Sequence, residues 1–161
     1  MEFHTIEPVF DADSEILILG SFPSVKSRET NFFYGHPQNR FWKVVSAVMG
    51  EECPVTIDEK KAFLLRNKIA VWDVIKSCDI SGSSDSSIKN VTPNDLSKIL
   101  VNSNVKSIFT NGNTAYTLFK RYNPDKNAVK LPSTSPANAA FRLEDLIEKW
   151  SILKKFYINL R

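Results

Sequence analysis

Glycine is scarce in this chain. There are five in 161 residues, none spaced as G-x-G-x-x-G or as a P-loop, which argues against a nucleotide fold built on a glycine-rich phosphate cradle. Cysteine and histidine are scarcer, with two of each. Cys53 and Cys78 cannot by themselves hold an iron–sulfur cluster or a tetrahedral zinc, and neither His4 nor His36 stands at ligand spacing from them. No metal site is expected, and the cysteines read as reduced thiols. No apolar run approaches the ~20 residues of a membrane span. The opening Met1-Glu2-Phe3-His4 lacks the basic and apolar parts of a signal peptide. The expectation is a soluble, cytoplasmic protein that does not engage a membrane.

What is present is globular: 42% hydrophobic, 11% aromatic and 24% charged residues. The length suits a single domain over 1–161, with a core that needs no staples. A net charge of +3 and a pI near 8.8 permit a polyanionic partner without requiring one.

Hydrophobic periodicity divides the chain into alternating elements. Ile16–Leu19, Ile69–Ile75, Val105–Thr110 and Ala128–Leu131 read as buried strands. A helix entered through Pro37 covers Phe41–Met49 and stops at Gly50, with Asn39 in its first turn. Thr56-x-x-Glu59 has capping-box spacing ahead of Ala62–Leu65. Thr92-Pro93 reads as the N-cap and first-turn proline of a third helix carrying Leu96, Ile99 and Leu100. Another helix runs through Ala115, Leu118 and Phe119. Leu143, Leu146, Ile147, Trp150, Leu153, Tyr157 and Leu160 make a long terminal helix. The order implies a parallel sheet covered on both faces. Ser77–Asn90, rich in serine, is too short for a linker and is expected to be a functional loop at a strand end.

In such a sheet, ligands bind where strand carboxyl ends open into loops. Four ends should meet there: Gly20–Ser24, Asp73–Asn90, Asn111–Asn113 and Pro132–Asn138. The first loop combines Phe32, Phe33, Tyr34 and His36 with Lys26, Ser27 and Arg28. Aromatics there can stack on a planar ring, while cations and hydroxyls can hold phosphate. The three successive aromatics cannot all face the core, so at least one should meet ligand or solvent. Leu131-Pro132-Ser133-Thr134-Ser135-Pro136-Ala137-Asn138 offers hydroxyls on a proline-stiffened turn, and Asn111-Gly112-Asn113-Thr114 is either an anion site or an ordinary capped junction.

The run Gly20-x-x-Pro23-x(10)-Tyr34-x-His36-Pro37-x-Asn39-Arg40-Phe41-Trp42-Lys43-Val44, with the late Leu131-Pro132-Ser133-x-Ser135, resembles the uracil-DNA glycosylase superfamily over residues 6–158. It is most similar to the hypoxanthine-DNA (deoxyinosine) glycosylases. The resemblance implies an α/β fold, a three-layer sandwich with a four-stranded parallel sheet flanked by helices. It also implies hydrolysis of the N-glycosidic bond of a flipped deoxynucleotide in DNA, without a metal or cofactor; a monomer is expected, since acting on one nucleotide needs no dimer. The mismatch-specific branch carries a catalytic asparagine where this chain has Phe22. The hypoxanthine branch places its key asparagine at Asn39, which favours deaminated adenine as the substrate.

On that basis Asn39 is the expected catalytic residue, either holding water through its carbonyl or donating to the leaving purine. Gly20, Ser21, Phe22, Pro23, Tyr34, Trp72 and Asp73 are expected around the base, with Tyr34 stacking on it and Asp73 accepting from hypoxanthine N1–H. Lys26, Arg28, Ser133 and Ser135 are candidates for the flanking phosphates. Pro136, Ala137 and Asn138 would fill the gap left in the duplex. Arg40 is as readily half of a structural pair. The alternatives are a uracil or xanthine glycosylase, or a DNA-binding relative without chemistry.

Overall fold

The computed structural model describes residues 1–157. Its elements are β1 (Glu2–Phe3), β2 (Ile16–Gly20), α1 (Val25–Thr30), α2 (Phe41–Met49), α3 (Ile57–Arg66), β3 (Ile69–Asp73), β4 (Ile75–Asp79), β5 (Lys89–Pro93), α4 (Ser97–Leu100), β6 (Ser107–Asn111), α5 (Asn113–Tyr122), β7 (Val129–Leu131) and α6 (Leu143–Trp150). A main sheet in the order β3-β2-β6-β7 is parallel throughout. Its central strand, Ile-Leu-Ile-Leu-Gly, is buried at every position, as a strand covered on both faces must be. Helices flank the sheet: α3 against β3, α5 against β6 and β7, and α2 against α6.

The α2 helix forms at the expected residues because Phe41, Trp42, Val44, Val45 and Val48 fall on the buried side and Gly50 closes it at φ 69°. Burying each large side chain contributes about 1.5–3 kcal/mol. The Thr56–Glu59 capping box forms as its spacing predicts.

Several expectations need correction. The helix begins at Phe41, not at Pro37, so Asn39 precedes it. The run Ile69–Ile75 is not one strand: β3 ends at Asp73, and the chain passes into a second, antiparallel sheet of order β1-β4-β5. At the break, Val74 N–H and Ile75 N–H donate to the carbonyls of Gly20 and Ser21, which carries the chain over the end of β2. Thr92-Pro93 does not open a helix. Both residues finish β5, an edge strand where a proline costs no ladder bond, and α4 is a single turn that starts at Ser97. Ser77–Asn90 is therefore largely a hairpin, with β4 and β5 joined through a 3-10 turn at Asp85–Ser87. An unexpected short helix, α1, is capped by Ser24, whose Oγ accepts from Ser27 N–H at 3.1 Å. The terminal helix stops at Trp150 and tightens into a 3-10 turn over Ser151–Lys155, while Leu160 lies outside the described residues. No helix among the described residues is long and apolar enough to cross a membrane.

From β2 the chain crosses to β3 on one side of the sheet, and from β6 to β7 on the other. The reversal lies between the carboxyl ends of β2 and β6, at Gly20 and Asn111, where an open α/β sheet leaves a crevice.

Candidate active site

A cavity of about 560 Å³ occupies that crevice. All four strand-end segments reach it: Gly20–Ser24, Asp73 with Ser83–Ser86 of the hairpin, Asn111, and Ser133–Ala137. Phe33, Tyr34, His36 and Asn39 line it from the loop before α2. Of the residues expected around a base, Gly20, Ser21, Phe22, Pro23, Tyr34 and Asp73 are brought together here. Trp72 is not. Its side chain points into the fold, edge-on to His4 and beneath Lys98, and does not line the cavity.

Asp73 sits at the floor, 3% exposed. His4 Nε2 lies 2.7 Å from its Oδ2, a bond in which an ionised carboxylate can only accept. The His4 side chain is 1% exposed and enclosed by the rings of Phe22, Phe33 and Trp72. Nothing in the sequence marks His4. It arrives because β1 pairs with β4, across 69 positions from Asp73. Gly20 makes room for the other carboxylate oxygen: a Cβ there would clash with Asp73 Oδ1 and lie 3.0 Å from the Tyr34 hydroxyl.

Tyr34 has φ 50°, a left-handed conformation rare for an aromatic residue and typical of strained functional positions. One face of its ring stacks on Phe41 at 4.0 Å, so only the other face or the edge remains for a ligand. Its hydroxyl tip is buried without a hydrogen-bond partner, although the residue as a whole is half-buried. Burial, reinforced by the Asp73 carboxylate, drives its ionisation far above the ordinary tyrosine value, and the nearby Asn111 amide offsets this only in part. Of the neighbouring aromatics, Phe32 belongs to the core, stacked on Trp42, while Phe33 and Tyr34 reach the cavity.

Asn39 stands at the foot of α2. Its Oδ1 accepts from Phe41 N–H and from the Thr134 hydroxyl, each at 2.9 Å. Thr134, fully buried, is held in turn by Asn111: Thr134 N–H donates to Asn111 Oδ1 at 3.0 Å, and Asn111 Nδ2 donates to Thr134 Oγ1 at 2.9 Å. The Asn111-Gly112 junction thus spends its first side chain inside the protein. Thr134 stands between Ser133 and Ser135, the two hydroxyl residues expected at the site, and it is the buried one that links Asn39 to Asn111.

The loop from Ser133 to Phe141 is organised by Arg40. Its guanidinium donates to the carbonyls of Thr134 (3.4 Å), Ser135 (2.9 Å), Asn138 (3.1 Å) and Phe141 (2.5 Å), which makes it a clamp on the loop and not half of an ion pair. Ser133 and Ser135 accept from the loop's own N–H groups, and neither hydroxyl donates to another described residue. Pro136 and Ala137 line the cavity; Asn138 instead ties back to the Ser133 carbonyl and faces a neighbouring depression with Lys130 and Lys149.

Of the two cations expected at phosphates, Arg28 is engaged internally. It bonds the Gly82 carbonyl at 2.7 Å, pairs with Glu2 and lies over the Phe22 ring. Lys26 is the exposed one. The hairpin adds Asp85, which accepts from Ser21 Oγ at 3.0 Å; its carboxyl pKa is pushed up chiefly by desolvation, though the residue overall is exposed. No group of three or more His, Cys, Asp or Glu among the described residues could hold a metal ion.

The family model of the uracil DNA glycosylase superfamily matches residues 7–156. The chain belongs to that superfamily. Two similar proteins carry the name hypoxanthine DNA glycosylase. One, from Methanosarcina barkeri, is 37% identical over 107 residues, covering 65% of this chain and 68% of that protein. The other, from Methanosarcina acetivorans, is 43% identical over 90 residues, 55% of this chain and 57% of the relative. The fold is also similar to the solution NMR structure of a Methanosarcina acetivorans protein assigned provisionally as a uracil DNA glycosylase. That likeness has a TM-score of 0.75 and 34% identity, and covers 92% of this chain and 96% of the other.

Proposed function

We propose that this superfamily member is a monofunctional DNA glycosylase that hydrolyses the N-glycosidic bond of deoxyinosine, releasing hypoxanthine and leaving an abasic site. The observation that carries the reading is the meeting of Asn39, Tyr34 and Asp73, from different parts of the chain, in one cavity at the carboxyl edge of the sheet. The names of the two Methanosarcina relatives support the choice of base.

The target base has to leave the duplex, at a cost of a few kcal/mol of unstacking. Pro136 and Ala137, on the loop clamped by Arg40, occupy the vacated space, with Asn138 behind them. Lys26 and the Ser133 and Ser135 hydroxyls hold flanking phosphates. In the cavity, Asp73 Oδ1 accepts from N1–H of hypoxanthine. Adenine has no N1–H to offer, so a buried carboxylate left unpaired discriminates against it. The free ring face of Tyr34 packs on the purine. Bond cleavage develops positive charge on the sugar and negative charge on the base, and a placed amide next to the base lowers that barrier. Asn39 supplies it.

The test is alkali cleavage of a duplex bearing one hypoxanthine after incubation with the purified protein, beside duplexes bearing uracil or xanthine. Strand scission should be strongest with hypoxanthine, and Asn39→Ala should abolish it while DNA binding persists. An intact hypoxanthine strand refutes the reading, and full activity in Asn39→Ala moves the catalytic role elsewhere.

A further inference from the structure

We infer that Thr134 and Asn111 are positioning residues that lock the Asn39 carboxamide with its Nδ2 amino group toward the cavity. Asn39 therefore acts on the departing base as a hydrogen-bond donor and not as a holder of water. The inference rests on the glycosylase reading above and specifies how that site works.

Every proton in the network has a determined direction. A backbone N–H can only donate, so the Asn39 atom 2.9 Å from Phe41 N is the carbonyl oxygen. By the same logic, the Asn111 atom facing Thr134 N–H is Oδ1, which turns Asn111 Nδ2 onto Thr134 Oγ1. Asn39 Oδ1 carries no proton, so the Thr134 hydroxyl must donate to it. Oδ1 then accepts two hydrogen bonds, one for each lone pair, and has none left for a water. Rotating the amide by a half-turn would set Nδ2 against the Phe41 N–H, donor against donor. Water cannot replace the Thr134 contact, because Thr134 is fully buried.

The amino group is the part of Asn39 left over. Nδ2 makes no hydrogen bond among the described residues, and it is not one of the buried unpaired atoms, so it is open on the side where Asn39 lines the cavity. A fixed donor aimed at a developing negative charge costs no reorganisation during the reaction. When the C1′–N9 bond breaks, its electron pair passes to the purine, where the Nδ2 hydrogen bond stabilises it. A water oxygen bonds C1′, one of its protons stays as the sugar hydroxyl and the other ends on hypoxanthine.

Two substitutions separate donation from water holding. Asn39→Asp keeps both acceptor contacts and would hold water at least as well, but its carboxylate cannot donate. Single-turnover excision from an inosine duplex at neutral pH should fall on the order of a hundredfold, the loss typical of one transition-state donor, and should recover as the pH is lowered and the carboxyl gains a proton. Thr134→Val removes the hydroxyl without changing side-chain shape. It should lower the single-turnover rate on the order of tenfold with an unchanged Kd for an uncleavable inosine duplex, and Thr134→Ser should restore most of the rate. Near-wild-type activity of Asn39→Asp at neutral pH, or an undiminished rate in Thr134→Val, overturns the inference while the wild type still cleaves. A wild-type protein that leaves the inosine strand intact overturns the glycosylase reading and this inference together.

Discussion

Replacing Gly20 by alanine puts a methyl group where two polar tips already meet. The added Cβ clashes with Asp73 Oδ1 and lies 3.0 Å from the Tyr34 hydroxyl, so something at the cavity floor has to move. Tyr34 is braced by its stack on Phe41, and Asp73 by His4 on Oδ2. Relief therefore requires breaking the His4–Asp73 bond, and a hydrogen bond to a charged group is worth about 1.5–3 kcal/mol. That loss corresponds to a fall in Tm of roughly 3–12 °C for a domain of this size. The same energy, expressed in a transition state that needs Asp73 in place, lowers excision by on the order of 10- to 100-fold. Gly50→Ala is the control. It strains the left-handed C-cap of α2, at about 1–2 kcal/mol, but meets no atom within 4 Å and does not touch the cavity. Single-turnover kinetics on an inosine duplex and thermal melts of both variants decide the matter. Gly20→Ala should lose both rate and stability, and Gly50→Ala stability alone. If Gly20→Ala keeps the wild-type rate, Asp73 and Tyr34 are not the floor of the working site.

Arg40→Lys leaves a single ammonium where a guanidinium bridges four carbonyls, so the loop 133–141 should lose about 2–3 kcal/mol of order. Faster amide exchange confined to that loop, with weaker DNA binding, is expected; unchanged exchange refutes the clamp. Asp73→Asn presents either a donor or an acceptor to the base, so hypoxanthine release should fall about tenfold and the preference over other bases should shrink. An unaltered base profile removes Asp73 from recognition. Tyr34 and Tyr157 both have ionisation raised by burial, from an ordinary 10.0. Above that pH the unfolded chain releases protons that the folded chain keeps, so it binds fewer protons and stability falls as pH rises. Urea midpoints should decline above about pH 10, by up to ~1.4 kcal/mol per pH unit for each tyrosine, and Tyr34→Phe should halve the slope. A flat profile between pH 10 and 11 contradicts this.

Elements governed by local rules were legible in the sequence. The buried run Ile16–Leu19, the Thr56 capping box and the Phe41–Met49 stripe each specify their structure within a few residues. Misreadings arose where one local signal serves two structures. Proline opens helices and also ends edge strands, so Pro93 carried no decision until β5 was known to be an edge. The apolar run across Ile69–Ile75 belongs to two sheets, and hydrophobicity does not record the turn between them. At the cavity, the presence of Gly20, Tyr34, Asn39 and Asp73 was legible in their motif and strand-end positions. Thr134 and His4 were not, because their roles are contacts across 95 and 69 positions that no spacing rule reaches.

Those long contacts also divide the labour of the cavity. The parallel sheet sets out Gly20, Asp73 and Asn111 at adjacent strand ends, a spacing that any sequence of this topology inherits. The antiparallel sheet brings what that edge lacks: His4, the residue after β1, behind the Asp73 carboxylate, and Asp85, from the turn joining β4 to β5, bonded to Ser21. A carboxylate that reads a base must keep one oxygen toward the cavity although the residue is almost wholly buried. The His4 hydrogen bond holds Oδ2, which leaves Oδ1 as the oxygen on the Gly20 side. On the proposed reading it is a positioning contact for base recognition, even though His4 itself does not line the cavity.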